Sequence, residues 1–180
     1  ARGAASPWLC GALVIALPKK DGGARPIAVG EVLRHLAAKT LCAAFQDQAR
    51  EYLWLLQIGV AQPLGTEVGL QVARQWCARN SASNHKVFLK LDFANAFNTI
   101  DREFVLRQVR NHMPGLAPWA DYCYTRPSNL LFGCRKISSV CGVHQGDPLG
   151  PLLFASALQP VLKESVSYTQ RTLPTNSTGR

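Results

Sequence analysis

Acidic residues are scarce in this chain. Only 11 Asp and Glu stand against 20 Lys and Arg among 180 residues, a formal charge of +9 that suits a polyanionic partner. Long hydrophobic runs are also missing: none approaches the 18 or more residues of a membrane span, and Ala1 to Leu17 has no basic region followed by a small-residue cleavage site. Membrane and secretory readings are therefore poor, and an intracellular protein, of nucleus or cytoplasm, is expected. The six cysteines never occur as C-x-x-C, which argues against a zinc site and against a disulfide framework and for reduced thiols. Methionine occurs once, at Met113, so the sequence does not open on a start codon and reads as a piece of something longer. With 47% hydrophobic and 17% charged residues the chain is neither disordered nor fibrous, and its length suffices for a real core.

Hydrophobic period and turn residues divide the chain. Leu9 to Leu17 is a strand-like run, and Pro18-Lys19-Lys20-Asp21-Gly22-Gly23 forms a basic turn before a second strand at Pro26 to Val29. Leu33, Leu36, Ala37, Thr40, Leu41, Ala44 and Phe45 recur at helical spacing and predict one amphipathic helix over about Val32 to Arg50. After the loop Gly59 to Gly65, Thr66 is the expected N-cap of a helix through Ala78. Lys86 to Phe93 alternates polar and apolar residues, the signature of a strand. Asp101 is placed to cap the next helix, a helix is expected near Trp119 to Tyr124, and two short strands flank Gly133. Pro151 opens a final helix to about Lys163, which Pro160 kinks. Both termini are expected to fray, and Asn176-Ser177-Thr178 reads as a chance glycosylation tripeptide.

Three segments carry candidate chemistry. Asp92, at the end of its predicted strand, is a carboxylate of the kind that holds Mg²⁺ with substrate phosphates, or alternatively a cap of the next turn. Gln145 to Pro151 is rich in Gly and Pro just before a helix N-terminus, which suits either phosphate oxygens or a simple turn and cap. The turn bearing Lys19, Lys20 and Arg25 is either a cation tip that closes on a triphosphate or a solvated hairpin end.

The order of these segments resembles the reverse transcriptase family, in particular the type encoded by non-LTR (LINE-like) retrotransposons. The resemblance runs from about Leu9 to Glu164 through KKDGGARPIAVGEVLRHLAAKTL, QIGVAQPLGTE, KLDFANAFNTIDR, RPSNLLFG and SSVCGVHQGDPLGPLLF. It implies an α/β right-hand polymerase with fingers over residues 1–85 and 113–145, palm over 86–112 and 146–166, and an unstructured or divergent tail over 167–180. It also implies RNA template, DNA primer and dNTP as partners, and two Mg²⁺ ions, with Mn²⁺ possible. Asp92 would be the shared catalytic metal ligand and the backbone carbonyl of Phe93 a further one. Phe97 would stack under the incoming sugar and reject a 2′-hydroxyl. Lys19, Lys20, Arg25, Gln145 and Gly146 would contact the nucleotide, and Pro148, Gly150 and Pro151 the template and primer. Arg34 and Lys39 are either phosphate contacts or, the better reading, a solvated helix face.

One departure is large. The family completes its metal site with an aromatic-x-Asp-Asp motif, and this chain contains no Asp-Asp pair. The sequence drifts near Ser165, where that hairpin is expected, and the C-terminal palm and thumb of a parent polyprotein are missing. The chain alone is therefore expected to be inactive, with the Asp92 strand left as an exposed edge. The alternatives are a non-catalytic nucleic-acid-binding remnant of a retroelement and a fragment of a group II intron or telomerase-type polymerase. A ribonucleotide polymerase is disfavoured by Phe97.

Overall fold

A computed structural model describes residues 6–20 and 22–172, with the side chains of 6 and 168–172 left out of the description. The architecture is mixed α/β: a four-stranded sheet beside a helical core. A short helix α1 (Ser6–Leu9) precedes strands β1 (Ala12–Pro18) and β2 (Ala24–Gly30), which pair antiparallel around the basic turn. Helices α2 (Val32–Ala44), α3 (Gln46–Leu53), α4 (Gly65–Arg79), α5 (Ala96–Thr99), α6 (Arg102–His112) and α7 (Ala117–Tyr124) follow. Strands β3 (Ser128–Phe132) and β4 (Arg135–Ser139) form the hairpin across Gly133, and helix α8 (Gly150–Thr172) closes the described chain.

The sheet order is β2-β1-β3-β4, with β3 parallel to β1 in the register Ala12↔Leu130 and Leu13↔Leu131. Chain segments more than a hundred residues apart therefore share one ladder. Gly11 permits the approach, since a Cβ there would lie 2.7 Å from the carbonyl oxygen of Asn129. The core lies between α6, α7 and α8, where Val105, Val109, Met113, Leu116, Ala120 and Leu153 are fully buried. Each large side chain of this kind stabilises the fold by roughly 1.5–3 kcal/mol relative to exposure. Asp101 caps α6 as its spacing predicts, its carboxylate accepting the Phe104 N–H at 2.6 Å. None of the six cysteines forms a disulfide, and among the described residues no helix is long and apolar enough to cross a membrane.

The structure departs from the sequence reading at five places. The expected strand at 86–93 forms no ladder: Val87, Leu89 and Leu91 are 83%, 74% and 69% exposed. Alternation marks a segment able to pair, but a strand persists only with a neighbour to take its N–H and C=O groups, and the four strands present pair among themselves. The helix predicted over Val32 to Arg50 breaks at Phe45 (φ −101°, ψ 11°) into α2 and α3, and the Phe45 ring lies over Gly115, where a Cβ would approach it to 2.7 Å. The stripe of α2 is also split: Leu33 and Leu36 are exposed while Leu41 and Phe45 pack on the core, and Arg34 and Ala38 are buried. Arg34 can turn inward because its charge is paired there. Helix α4 starts without a side-chain cap, from Leu64 in the left-handed region, so Thr66 lies inside it. Finally, α8 runs through Pro160 to Thr172, past the expected boundary at 166. The expected fraying of the termini, Asp21 and the tripeptide at 176–178 fall wholly or largely outside the described residues.

Candidate functional site

A cleft of about 500 Å³ is lined by Lys19, Arg25, Asp92, Phe93, Phe97 and Gln145, together with Pro26 and the backbone turn at 94–98. Three separate stretches of sequence supply it. The first is the β1–β2 hairpin, closed by Lys19 N–H to the Gly23 carbonyl at 2.7 Å, with Gly22 at φ +81° where a side chain would be strained. That turn projects Lys19, and Arg25 follows on β2 opposite Leu17.

The second stretch follows the unpaired 86–93 segment. Asp92 is exposed, and Asn95 adopts φ +53° to start the single turn of α5, accepting from the N–H groups of Asn98 and Thr99. Asparagine tolerates that left-handed conformation better than most side chains. Phe97, half-buried, stacks on Phe154 of α8 with ring centroids 5.1 Å apart and an interplanar angle of 16°. The carbonyl of Phe97 accepts Val143 N–H at 2.7 Å, and that of Ile100 accepts Gly142 N–H at 3.1 Å. Gly142, at φ +68°, lies directly against the Phe97 and Asn98 backbone, so no side chain fits there.

The third stretch is the loop before α8. Ala28 N–H of β2 donates to the Gln145 carbonyl at 2.7 Å, and Gly146 at φ +122° would place a Cβ 2.5 Å from the Ala28 carbonyl oxygen. Backbone contact this close requires glycine.

A buried polar network lies behind the cleft, and the sequence reading missed it. Arg34 and Asp147, each 3% exposed at the side chain, pair at 2.7 Å. Arg34 also donates to the Cys10 carbonyl at 2.6 Å, to Tyr124 Oη at 3.1 Å and to His144 Nδ1 at 3.1 Å. A guanidinium can only donate, so His144 Nδ1 accepts and Nε2 carries the proton, within reach of Ser128 and Ser139 Oγ at 3.1 and 3.2 Å. Burial first, then the charges of Arg34 and Arg102, pushes His144 down to about 3, against the smaller opposing effect of Asp147. Burial also holds the Tyr124 phenol well above its ordinary value, with Asp147 adding to it. Arg102 serves the neighbouring segment, donating to the carbonyls of Gly142 and Ser139 at 2.6 and 2.8 Å. Both readings offered for Arg34, phosphate contact and solvated face, are thus corrected. Such a buried arginine carries no signal in the linear pattern, because its side-chain partners lie 90 to 113 residues away.

The remaining candidates lie apart from the cleft. Lys20 is exposed beside the hairpin turn and does not line it. Pro148 and Pro151 border a second hollow of about 380 Å³ with Lys39 and Cys42, while Gly150 is buried at the start of α8. Lys39 is exposed, in keeping with a solvated position. Among the described residues no three His, Cys, Asp or Glu side chains gather as a metal cluster, and Asp92 is the sole carboxylate lining the cleft. One carboxylate can share one Mg²⁺ with phosphate oxygens, so the cleft fits one such ion; it does not complete a two-ion set.

A family model described as reverse transcriptase (RNA-dependent DNA polymerase) matches residues 17–173, most of the chain. No curated protein matches it.

Proposed function

Because the chain belongs to the reverse transcriptase (RNA-dependent DNA polymerase) family, we propose that the cleft between the hairpin, the 92–98 turn and the Gln145 loop receives an incoming deoxynucleoside triphosphate. The observation that carries this reading is the convergence of Lys19, Arg25, Asp92, Phe97 and Gln145 on one cleft from three distant segments. Two cations and one carboxylate suit a triphosphate with a bound Mg²⁺: Arg25 offers a planar fork and Lys19 a point charge to phosphate oxygens, while Asp92 and the Phe93 carbonyl hold the ion. The ion supplies positive charge to the phosphates. Phe97, stacked on Phe154, is the ring that on this reading lies beneath the sugar and rejects a 2′-hydroxyl.

We further assign residues 1–85 and 113–145 to fingers, 86–112 and 146–166 to palm, and the lineage to the non-LTR, LINE-like branch, on the wording of the Gln145 to Pro151 loop. Lys20 and Gly146 extend the nucleotide contacts, and Pro148, Gly150 and Pro151 face template and primer. RNA-templated DNA synthesis by two-metal phosphoryl transfer belongs, on this reading, to a parent protein that supplies the Asp-Asp pair this chain lacks. The single carboxylate of the cleft also favours a second reading, a nucleic-acid-binding remnant without chemistry.

The test is nucleotide binding and primer extension on poly(rA)·oligo(dT) in Mg²⁺ and in Mn²⁺. The expected result is Mg²⁺-dependent dTTP binding that Asp92→Asn makes independent of Mg²⁺, with no extension above the Asp92→Asn control. Phe97→Val is expected to bring UTP to the affinity of dTTP. Binding that ignores Asp92→Asn and Arg25→Ala alike would reject the cleft, and extension abolished by Asp92→Asn would reject the inactive state.

A further inference from the structure

The loop that carries Gln145 is held by one buried side chain on both of its flanks. On the near side, His144 N–H donates to Tyr124 Oη at 3.3 Å and His144 Nδ1 faces Arg34 Nη1. On the far side, Asp147 Oδ2 accepts Arg34 Nη2 at 2.7 Å and the Tyr124 hydroxyl at 2.5 Å, while its Oδ1 accepts Leu149 N–H at 3.0 Å at the mouth of α8. Arg34 Nη1 reaches in the other direction to Cys10, at the entry of the β1 hairpin. Between these anchors only Gln145 and Gly146 lie free of the network, and they meet β2 through Ala28.

We propose that Arg34, Tyr124 and Asp147 form a latch whose task is to fix the 143–147 loop against β2 and so set the position of Gln145 at the cleft. They are positioning residues, remote from any ligand. A buried ion pair is a poor source of stability, because apolar residues of similar volume do as well once both charges are gone. What the pair supplies is directed geometry: the two terminal nitrogens of a rigid planar fork fix three oxygens and a ring nitrogen at once, which a lysine cannot do, while Nε finds no partner. The assignment of Gln145 to nucleotide rests on the function proposed above; the latch does not.

The deciding variant is Arg34→Met with Tyr124→Phe and Asp147→Leu, which replaces all three polar groups by apolar ones of similar size in the full 180-residue chain. Amide exchange at Ala28 and Val143, whose N–H groups bind Gln145 and Phe97, is expected to accelerate at least about tenfold while Val109 in α6 keeps its protection. Affinity for Mg²⁺·dTTP is expected to fall with it, while the melting temperature stays above that of Arg34→Ala, in which the Asp147 charge is left buried without its cation. Unchanged exchange at Ala28 and Val143 would overturn the latch, whereas faster exchange with dTTP affinity retained would uphold it and reject the nucleotide role of Gln145. Tyr124→Phe alone keeps the ring and guards against a misfolded triple variant; it is expected to speed the same two amides about threefold, and no change there counts equally against the proposal. Absence of dTTP binding by wild type would reject the nucleotide reading, while the exchange data would still judge the latch.

Discussion

Replacing Arg34 by alanine is expected to lower the unfolding free energy by about 3–5 kcal/mol, the cost of leaving a buried charge without its partner. Asp147 would remain at 3% exposure with only the Tyr124 hydroxyl and Leu149 N–H for company. For a chain of this size the loss corresponds to a melting temperature lower by roughly 10 °C. Urea titration at pH 7 is the measurement, with Arg34→Lys beside it. Lysine returns the charge but not the fork, so it should recover part of the loss and no more, since one nitrogen cannot span Cys10, Tyr124 and Asp147. A loss below about 1 kcal/mol for the alanine variant would put the pair in the class of exposed bridges and contradict its burial.

Acid is expected to unfold the protein through His144. Folding pushes this imidazole from its ordinary value down to about 3, so between about pH 6.5 and 3 the unfolded chain binds a proton that the native state refuses. Stability from this residue is complete above pH 6.5 and is lost as pH falls, at up to about 1.4 kcal/mol per unit. Burial sets the direction, and of the groups facing the ring Arg34 and Arg102 add to it by repelling the proton, Asp147 attracts it, and Tyr124 lies edge-on with centroids 5.6 Å apart. His144→Asn keeps an acceptor for Arg34 without a titrating ring and should flatten the profile of urea midpoint against pH over that window. Identical slopes in the two proteins would place the acid sensitivity elsewhere.

Much of the backbone can be read directly from local chemistry. The β1–β2 hairpin follows from its Gly-rich turn, α6 from the Asp101 cap, and β3–β4 from Gly133, each a matter of a few adjacent residues. The cleft-lining residues are likewise legible, because the three stretches that carry them are compact in sequence. Non-local facts are not legible. Alternation at 86–93 reports a capacity to pair and says nothing about whether a neighbour is there. Helical period finds α2 but not which residues of its first turns go inward: Leu33 and Leu36 stay exposed while Arg34 is buried, because Asp147, Tyr124 and His144 await it. Leu64 in place of Thr66 as the N-cap reflects the packing of Gly65 beneath the Ile58 carbonyl, again invisible to a cap rule.

The uncovered stretch from Lys86 to Phe93 makes this molecule naturally divisible. A protease able to take Leu89 or Leu91 meets them bare and outside any ladder. Yet the pieces on either side of such a nick are interleaved everywhere else: β1 is zipped to β3, Gln57 donates to Gln159 Oε1 at 2.8 Å, and Arg34 grips Asp147. Clipped protein should therefore run as two bands in denaturant and travel as one particle without it. By the same logic, two separately expressed halves meeting at this seam should reassemble into one folded particle.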